Sequence, residues 1–208
     1  MVLLNRQDLA EQAATQRWLD ALGLVGIKAF STTATRAGTL RAVRTTLRAF
    51  PGRSTRIRAA VVGAPNTGKS SVINALASRK KAARENRAGV TRHVNWISLD
   101  EGVDLLDTPG VLEPRITDPA RAWQLALCGI LPESAFDVEE VAVCFADWTA
   151  GHGRDANRTL DLNSFARRRG MLRNCGEIDR RNAARALLTS FREGRLGRYT
   201  LELPGDHQ

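Results

Sequence analysis

The sequence predicts a three-layer α/β domain with a mostly parallel sheet, followed by a small α-helical domain. Three observations carry this. The apolar run Ile57–Val62 leads into Gly63-Ala64-Pro65-Asn66-Thr67-Gly68-Lys69-Ser70 and then a helical pattern through Leu76, a strand, glycine-rich loop and helix in immediate succession. A later strand-like run, Gly102–Leu106, ends in Asp107-Thr108-Pro109-Gly110. From Arg121 to Arg192 the periodic segments have helical spacing.

Taken in order, Met1–Leu4 reads as the end of a buried strand running into Asn5-Arg6-Gln7-Asp8. Glu11–Leu22 is helical, with Ala14, Trp18 and Leu22 on one face. Gly26–Phe30 is the next strand, ending in the polar loop Ser31-Thr32-Thr33-Ala34. Leu40, Val43, Leu47 and Phe50 mark a helix, and residues 51–56 a linker. After the helix that begins at Ser70, a basic stretch from Arg79 to Arg92 contains Gly89-Val90-Thr91. His93–Leu99 and Gly102–Leu106 form a hairpin turning at Asp100-Glu101-Gly102. Helices follow at Arg121–Leu131, Asp137–Trp148, Ser164–Arg169 and Asp179–Arg192, then a short strand at Arg198–Leu203. The domain boundaries expected are 1–118 and 119–208, the first divided into 1–50, the linker and 57–118.

The formal net charge is +9, and of the 31 basic residues only four are Lys. Arg pairs bidentately with phosphate, so this balance favours a polyanionic partner. The basic surface is concentrated late in the chain, with ten Arg against three acids from Ser164 to Arg198. Cys128, Cys144 and Cys175 are scattered and lack C-x-x-C spacing, which reads as reduced thiols in a cytoplasmic protein with no zinc site. No apolar run approaches the ~20 residues that span a bilayer, so no membrane partner is expected.

The glycine-rich loop satisfies G-x-x-x-x-G-K-S through Gly63, Gly68, Lys69 and Ser70. Glycines let the backbone curl so that its N–H groups converge on phosphate oxygens. Lys69 supplies charge to the β- and γ-phosphates, and the Ser70 hydroxyl can ligate Mg²⁺. Asp107 would reach the same ion through water, and the Gly110 N–H would sense the γ-phosphate. The backbones of Asn66, Thr67 and Ser71 complete the cradle. Thr91, between the loop and the second strand, is the candidate for a further Mg²⁺ ligand.

Guanine recognition needs an N-K-x-D element, whose Asp accepts hydrogen bonds from guanine N1–H and the 2-amino group. Adenine offers no such pair. After Gly110 nothing fits with an apolar strand before it. The fit is Asn5-Arg6-Gln7-Asp8, at the opposite end, supported by Thr33-Ala34 about 25 residues later as the loop whose backbone N–H meets the guanine oxygen. Guanine motifs thus precede phosphate motifs, the order of a circular permutation.

With these motifs in this order the chain resembles the circularly permuted ribosome-biogenesis GTPases of the YlqF/RbgA type. The resemblance covers essentially the whole chain and includes Arg169-Gly170-Met171-Leu172 through Gly197-Arg198, similar to that family's C-terminal helical domain. It implies GTP hydrolysis coupled to late assembly of the large ribosomal subunit, a monomer, and a helical domain touching ribosomal RNA. It also implies a K⁺ ion held partly by Asn66, because Val111 stands where other GTPases place a water-orienting Gln.

Three departures accompany the resemblance. Arg6 stands for the Lys that stacks on the base, and its planar guanidinium serves the same end. Thr33 stands for Ser. The family also carries a strand and helix before the guanine motif, its strand lying between the Ile57–Val62 and Met1–Leu4 strands. The expectation is therefore a sequence truncated at its N-terminus and a sheet lacking one central strand, with Val141–Phe145 as a substitute whose spacing is more helical than extended. Two rival readings stand beside this one: an ATPase or nucleotide kinase, in which Asn5 and Asp8 are coincidental, and a non-catalytic RNA-binding module with a vestigial nucleotide site.

Overall fold

A computed structural model describes residues 1–49, 56–77, 95–99, 102–111, 118–152, 160–174 and 176–205. The first strand, β1 (Val2–Leu4), pairs in parallel with β2 (Ala29–Ser31), Val2 opposite Ala29 and Leu4 opposite Ser31. Parallel neighbours need a crossover, and α1 (Gln12–Leu24) supplies it. Gly26, with φ of 75°, makes the left-handed turn back from the helix. A short 3-10 turn then leads into α2 (Arg41–Arg48).

A second sheet has the order β3–β5–β4. β3 (Ile57–Val61) runs parallel to β5 (Val103–Asp107), with Val61 opposite Asp107. β4 (Asn95–Ser98) is antiparallel to β5, as a hairpin requires. The tip of that hairpin lies outside the described residues. α3 (Lys69–Leu76) follows β3.

Both sheets share one core. Val43 and Leu47 of α2 with the adjoining Leu40, and Val72, Ile73 and Leu76 of α3, pack with Val103 and Leu105 of β5. Leu3, Phe30, Ile57, Ala59, Val61 and Ile97 close over them. Each fully buried Leu or Ile contributes about 1.5–3 kcal/mol, so this cluster is the main adhesive between the first two strands and the other three. The opposite face of β3 is open: Arg58 and Ala60 are exposed, as is Val62 just past the strand, and the Arg58 guanidinium sits 5.6 Å from the ring centre of the half-exposed Trp96. Among the described residues no strand pairs with the free side of β1 or of β3.

The chain divides into two compact units, Met1–Leu112 with Arg198–Gln208, and Glu113–Gly197. The second unit contains α4 (Pro119–Leu127), α5 (Val138–His152), α6 (Leu162–Arg168) and α7 (Arg180–Arg192). Its core includes Leu127, Val141, Phe145, Phe165, Leu187 and Leu188, with the Phe145 and Phe191 rings edge to face at 5.0 Å. The Asp161 carboxylate caps α6 by accepting from Ser164 N at 2.7 Å, and Asp179 caps α7 by accepting from Asn182 N at 3.1 Å. Arg192 on α7 donates to the carbonyls of Ala126 and Leu127, fastening α7 to the end of α4.

Two expectations need correction. Arg198–Leu203 is not a strand, because it lies beside α1 and its backbone joins neither sheet. It belongs to the first unit although it follows the helices in the chain, so the division expected at residue 118 does not hold for the tail. Val141–Phe145 is no substitute strand: it lies in α5, with Val141, Ala142 and Phe145 buried at helical spacing.

Candidate nucleotide-binding site

The phosphate side is built by the turn from β3 into α3. Asn66 and Gly68 have φ of 59° and 88°, the left-handed geometry that curls the loop. Gly68 is the N-cap of α3 and gives it no side-chain cap, leaving the first-turn N–H groups directed at the loop's hollow. Lys69 Nζ donates to the carbonyls of Gly63 at 3.0 Å and Ala64 at 2.8 Å. The ammonium thus lies across its own loop, where phosphate oxygens would take over those bonds. Ser70 Oγ donates to Asp107 Oδ2 at 2.9 Å, and Asp107, at the end of β5, is only 6% exposed. A hydroxyl and a carboxylate side by side are hard oxygen donors suited to Mg²⁺, which keeps waters and phosphate oxygens as its other ligands.

Asp107-Thr108-Pro109-Gly110 presses against this loop. Thr108 Oγ1 donates to Val61 O at 2.7 Å, and Val111 N donates to Gly63 O at 3.1 Å. A Cβ on Gly110 would stand 2.7 Å from Pro65 Cα, inside backbone contact distance, so only glycine allows the approach.

The guanine side follows β1. Asn5 Nδ2 donates to Thr67 O at 3.0 Å, while Asn5 Oδ1 accepts from Ala34 N at 3.2 Å and Thr32 Oγ1 at 3.4 Å. One side chain therefore ties β1, the loop after β2 and the phosphate loop together. A Cβ on Gly68 would come within 2.5 Å of Asn5 Nδ2, so the glycine also makes room for this bridge. Gln7 N donates to Thr32 O at 3.0 Å. Thr33 Oγ1 donates to Asp8 Oδ1 at 3.3 Å, turning the carboxylate, and Thr33 N donates to Thr39 Oγ1 at 3.0 Å. The Ala34 N–H expected to meet the guanine oxygen donates here to Asn5 Oδ1.

A pocket of about 280 Å³ lies between the two sides, lined by Asn5, Arg6, Asp8, Thr33, Ala34, Thr35, Asn66, Gly68 and Ser71. All but Thr35 were expected from the sequence. Thr67, Lys69, Ser70, Asp107 and Gly110, also expected from the sequence, are not among its lining residues; Asn5 bonds to the Thr67 carbonyl, and Ser70 bonds to Asp107. Thr91, with Gly89 and Val90, lies outside the described residues. The sequence does not disclose the hydroxyl work of Thr32, Thr33 and Thr39, because a Thr run after an apolar strand is ordinary turn composition. Among the described residues no three or more His, Cys, Asp or Glu side chains cluster to hold a metal, and no helix is long and apolar enough to cross a membrane.

Residues 58–142 match the family model described as 50S ribosome-binding GTPase. The chain is 31% identical to ribosome biogenesis GTPase A of Priestia megaterium, over 99% of this chain and 80% of that one. It is 30% identical to ribosome biogenesis GTPase A of Thermotoga maritima, over 99% and 77%. A solved GDP-bound structure of TM YlqF superposes with a TM-score of 0.73 at 28% identity, covering 99% of this chain and 84% of that one. At this identity and coverage the chain belongs to the ribosome biogenesis GTPase A family.

Proposed function

We propose that this chain binds GTP in the Asn5–Ser71 pocket, hydrolyses it with Mg²⁺, and serves late assembly of the large ribosomal subunit. One observation carries the reading: Asp8 and the phosphate-loop residues Asn66 and Gly68 line the same pocket of about 280 Å³ although 58 positions separate Asp8 from Asn66. The same observation supports the circular permutation, since the guanine side precedes the phosphate side in the chain. Replacing Asp8 by Asn should weaken GTP and favour xanthosine triphosphate, whose 2-oxo group wants a donor. GTP affinity untouched by Asp8→Asn would defeat the guanine reading and restore the ATPase rival.

Mg²⁺ would neutralise charge developing on the β- and γ-phosphates, held by Ser70, Asp107 and, in this reading, Thr91. Val111 is 68% exposed and has no group to orient water. Asn66, left-handed and lining the pocket, is the residue proposed to hold K⁺ in its place. Unaided turnover would be on the order of 10⁻⁴ to 10⁻² s⁻¹, with the ribosome supplying the rest. Equal rates in KCl and NaCl at matched ionic strength would remove K⁺ from the account.

The helical unit, in this reading, contacts ribosomal RNA. Arg180 is paired with Glu139 and Asn163, and Arg185 with Glu133. Exposed Arg167, Arg168, Arg169, Arg173 and Arg181 remain for phosphate contacts. Neutralising Arg167, Arg168 and Arg169 should flatten the dependence of log affinity on log salt, at roughly 0.7–0.9 per lost contact. An unchanged slope would return them to a solvated surface. The open edges of β1 and β3 support the companion reading that a further strand belongs between them. A cytoplasmic monomer completes the proposal, and sedimentation of the purified protein tests the second part of it.

A further inference from the structure

The last described residues come back from the helical unit to the nucleotide-binding unit and lie along the segment that begins one residue after Asp8. Tyr199 N donates to Leu9 O at 3.0 Å, Glu11 N donates to Thr200 Oγ1 at 3.2 Å, and Trp18 Nε1 donates to Glu202 O at 3.0 Å. The Thr200 contact fills a gap in local structure. Glu11 is the N-cap position of α1 and provides no side-chain cap of its own, and the first turn of α1 contains no acid. A hydroxyl some 190 residues away thus meets a backbone donor at the helix start.

The guanine turn between Arg6 and Leu9 is tight, with Leu9 N donating to Arg6 O at 2.9 Å and Arg6 at φ of 58°. Its inner flank is pinned to the loop after β2, through Gln7 N on Thr32 O and Thr33 Oγ1 on Asp8 Oδ1. Its outer flank, Leu9 to Glu11, is where the tail attaches. Hydrogen bonds weaken steeply with misalignment, so a carboxylate that must accept from two base donors at once needs both flanks fixed.

We propose that Tyr199–Glu202 is a positioning strap for Asp8, through which the C-terminal tail sets discrimination for the guanine 2-amino group. The proposal rests on the reading of Asp8 as the guanine acceptor. Thr200→Val replaces the hydroxyl with a methyl of similar shape, Trp18→Phe removes the indole donor, and Thr200→Ser keeps the hydroxyl.

The test measures dissociation constants of the full chain for GDP and for inosine diphosphate, which lacks the 2-amino group, together with melting temperatures. The Thr200→Val, Trp18→Phe double variant should bind GDP about 3- to 10-fold more weakly, with a smaller loss for inosine diphosphate, so that the ratio between the two falls. Thr200→Ser should keep the wild-type ratio, and Thr200→Val alone gives the same reading if the double variant fails to fold. A constant ratio, whether neither affinity moves or both fall together with the melting temperature, overturns the proposal. Asp8→Asn is measured in parallel. If it too leaves the ratio intact, the guanine reading fails and takes the strap with it; if it collapses the ratio while the strap variants do not, only the strap is refuted.

Discussion

The two sides of the nucleotide pocket are built on different plans. The phosphate side is nearly self-contained: Gly63 to Ser70 is one continuous run, and its internal bonds, such as Lys69 to Gly63 and Ala64, and Thr67 to Ala64, span six residues or fewer. The guanine side closes its backbone turn locally, through Leu9 N on Arg6 O, but its side chains are held from farther along the chain. Asp8 is oriented by Thr33, Asn5 is held by Ala34 and Thr67, and the segment after Asp8 is bonded to the tail. A loop closed on itself keeps its geometry with modest help from outside. A site assembled from distant pieces keeps its geometry only while the core beneath it is intact.

The largest effect should come from the self-contained side. Lys69→Ala removes the only cation of the phosphate loop and should weaken every guanine nucleotide with a β-phosphate by roughly 100-fold, in line with about 1.5–3 kcal/mol for a charged hydrogen bond. Titration with GTP and GDP checks it. Equal tight binding would mean that backbone N–H groups alone hold the phosphates.

Asn5→Ala sharpens the contrast at an intermediate scale. It deletes the bridge between the two sides while leaving the phosphate loop's own bonds in place. Each neutral hydrogen bond contributes about 0.5–1.5 kcal/mol, so a loss of roughly tenfold in GTP affinity is expected, with a lowered melting temperature. If affinity is unchanged, the buried core around Ile73 and Val103 fixes the two sides by itself, without the Asn5 bridge.

The smallest effect lies at the margin of the second sheet. Asp104 accepts from Arg56 at 2.6 Å and from Ser98 at 2.5 Å, and these bonds, Arg56's first, hold its carboxyl at about 2, below the usual 3.8. A depressed folded-state value means that the contribution is complete above pH 4 and is lost as pH falls towards 2. Asp104→Asn should therefore flatten the acid limb of the melting curve, by about 1–2 °C for an exposed pair of this kind. A variant that keeps the full acid dependence would assign it to other carboxylates.

The elements were largely legible from the sequence. Strand, phosphate loop and α3 follow one another within twenty residues, where periodicity and turn chemistry are local quantities. The four helices after Pro119 announced themselves by apolar spacing, although the third begins at Leu162 behind its Asp161 cap and not at Ser164. Arg198–Leu203 misled because alternating polar and apolar residues describe any extended segment, whether it joins a sheet or runs beside a helix.

The sequence by itself determined the chemistry on offer: which residues can cradle phosphate, which acid can read guanine, and in what order they occur. These depend on residue type and short spacing, which are properties of the chain itself. Only the tertiary structure decided that Asn5 would join the two sides, that Thr33 would turn Asp8, that Gly110 would touch Pro65, and that the tail would return to α1. Each of these is a contact between residues from 25 to about 190 positions apart or a steric limit across two loops. Their geometry is set by how strands register and helices pack over one core, and no local pattern in the chain encodes that distance.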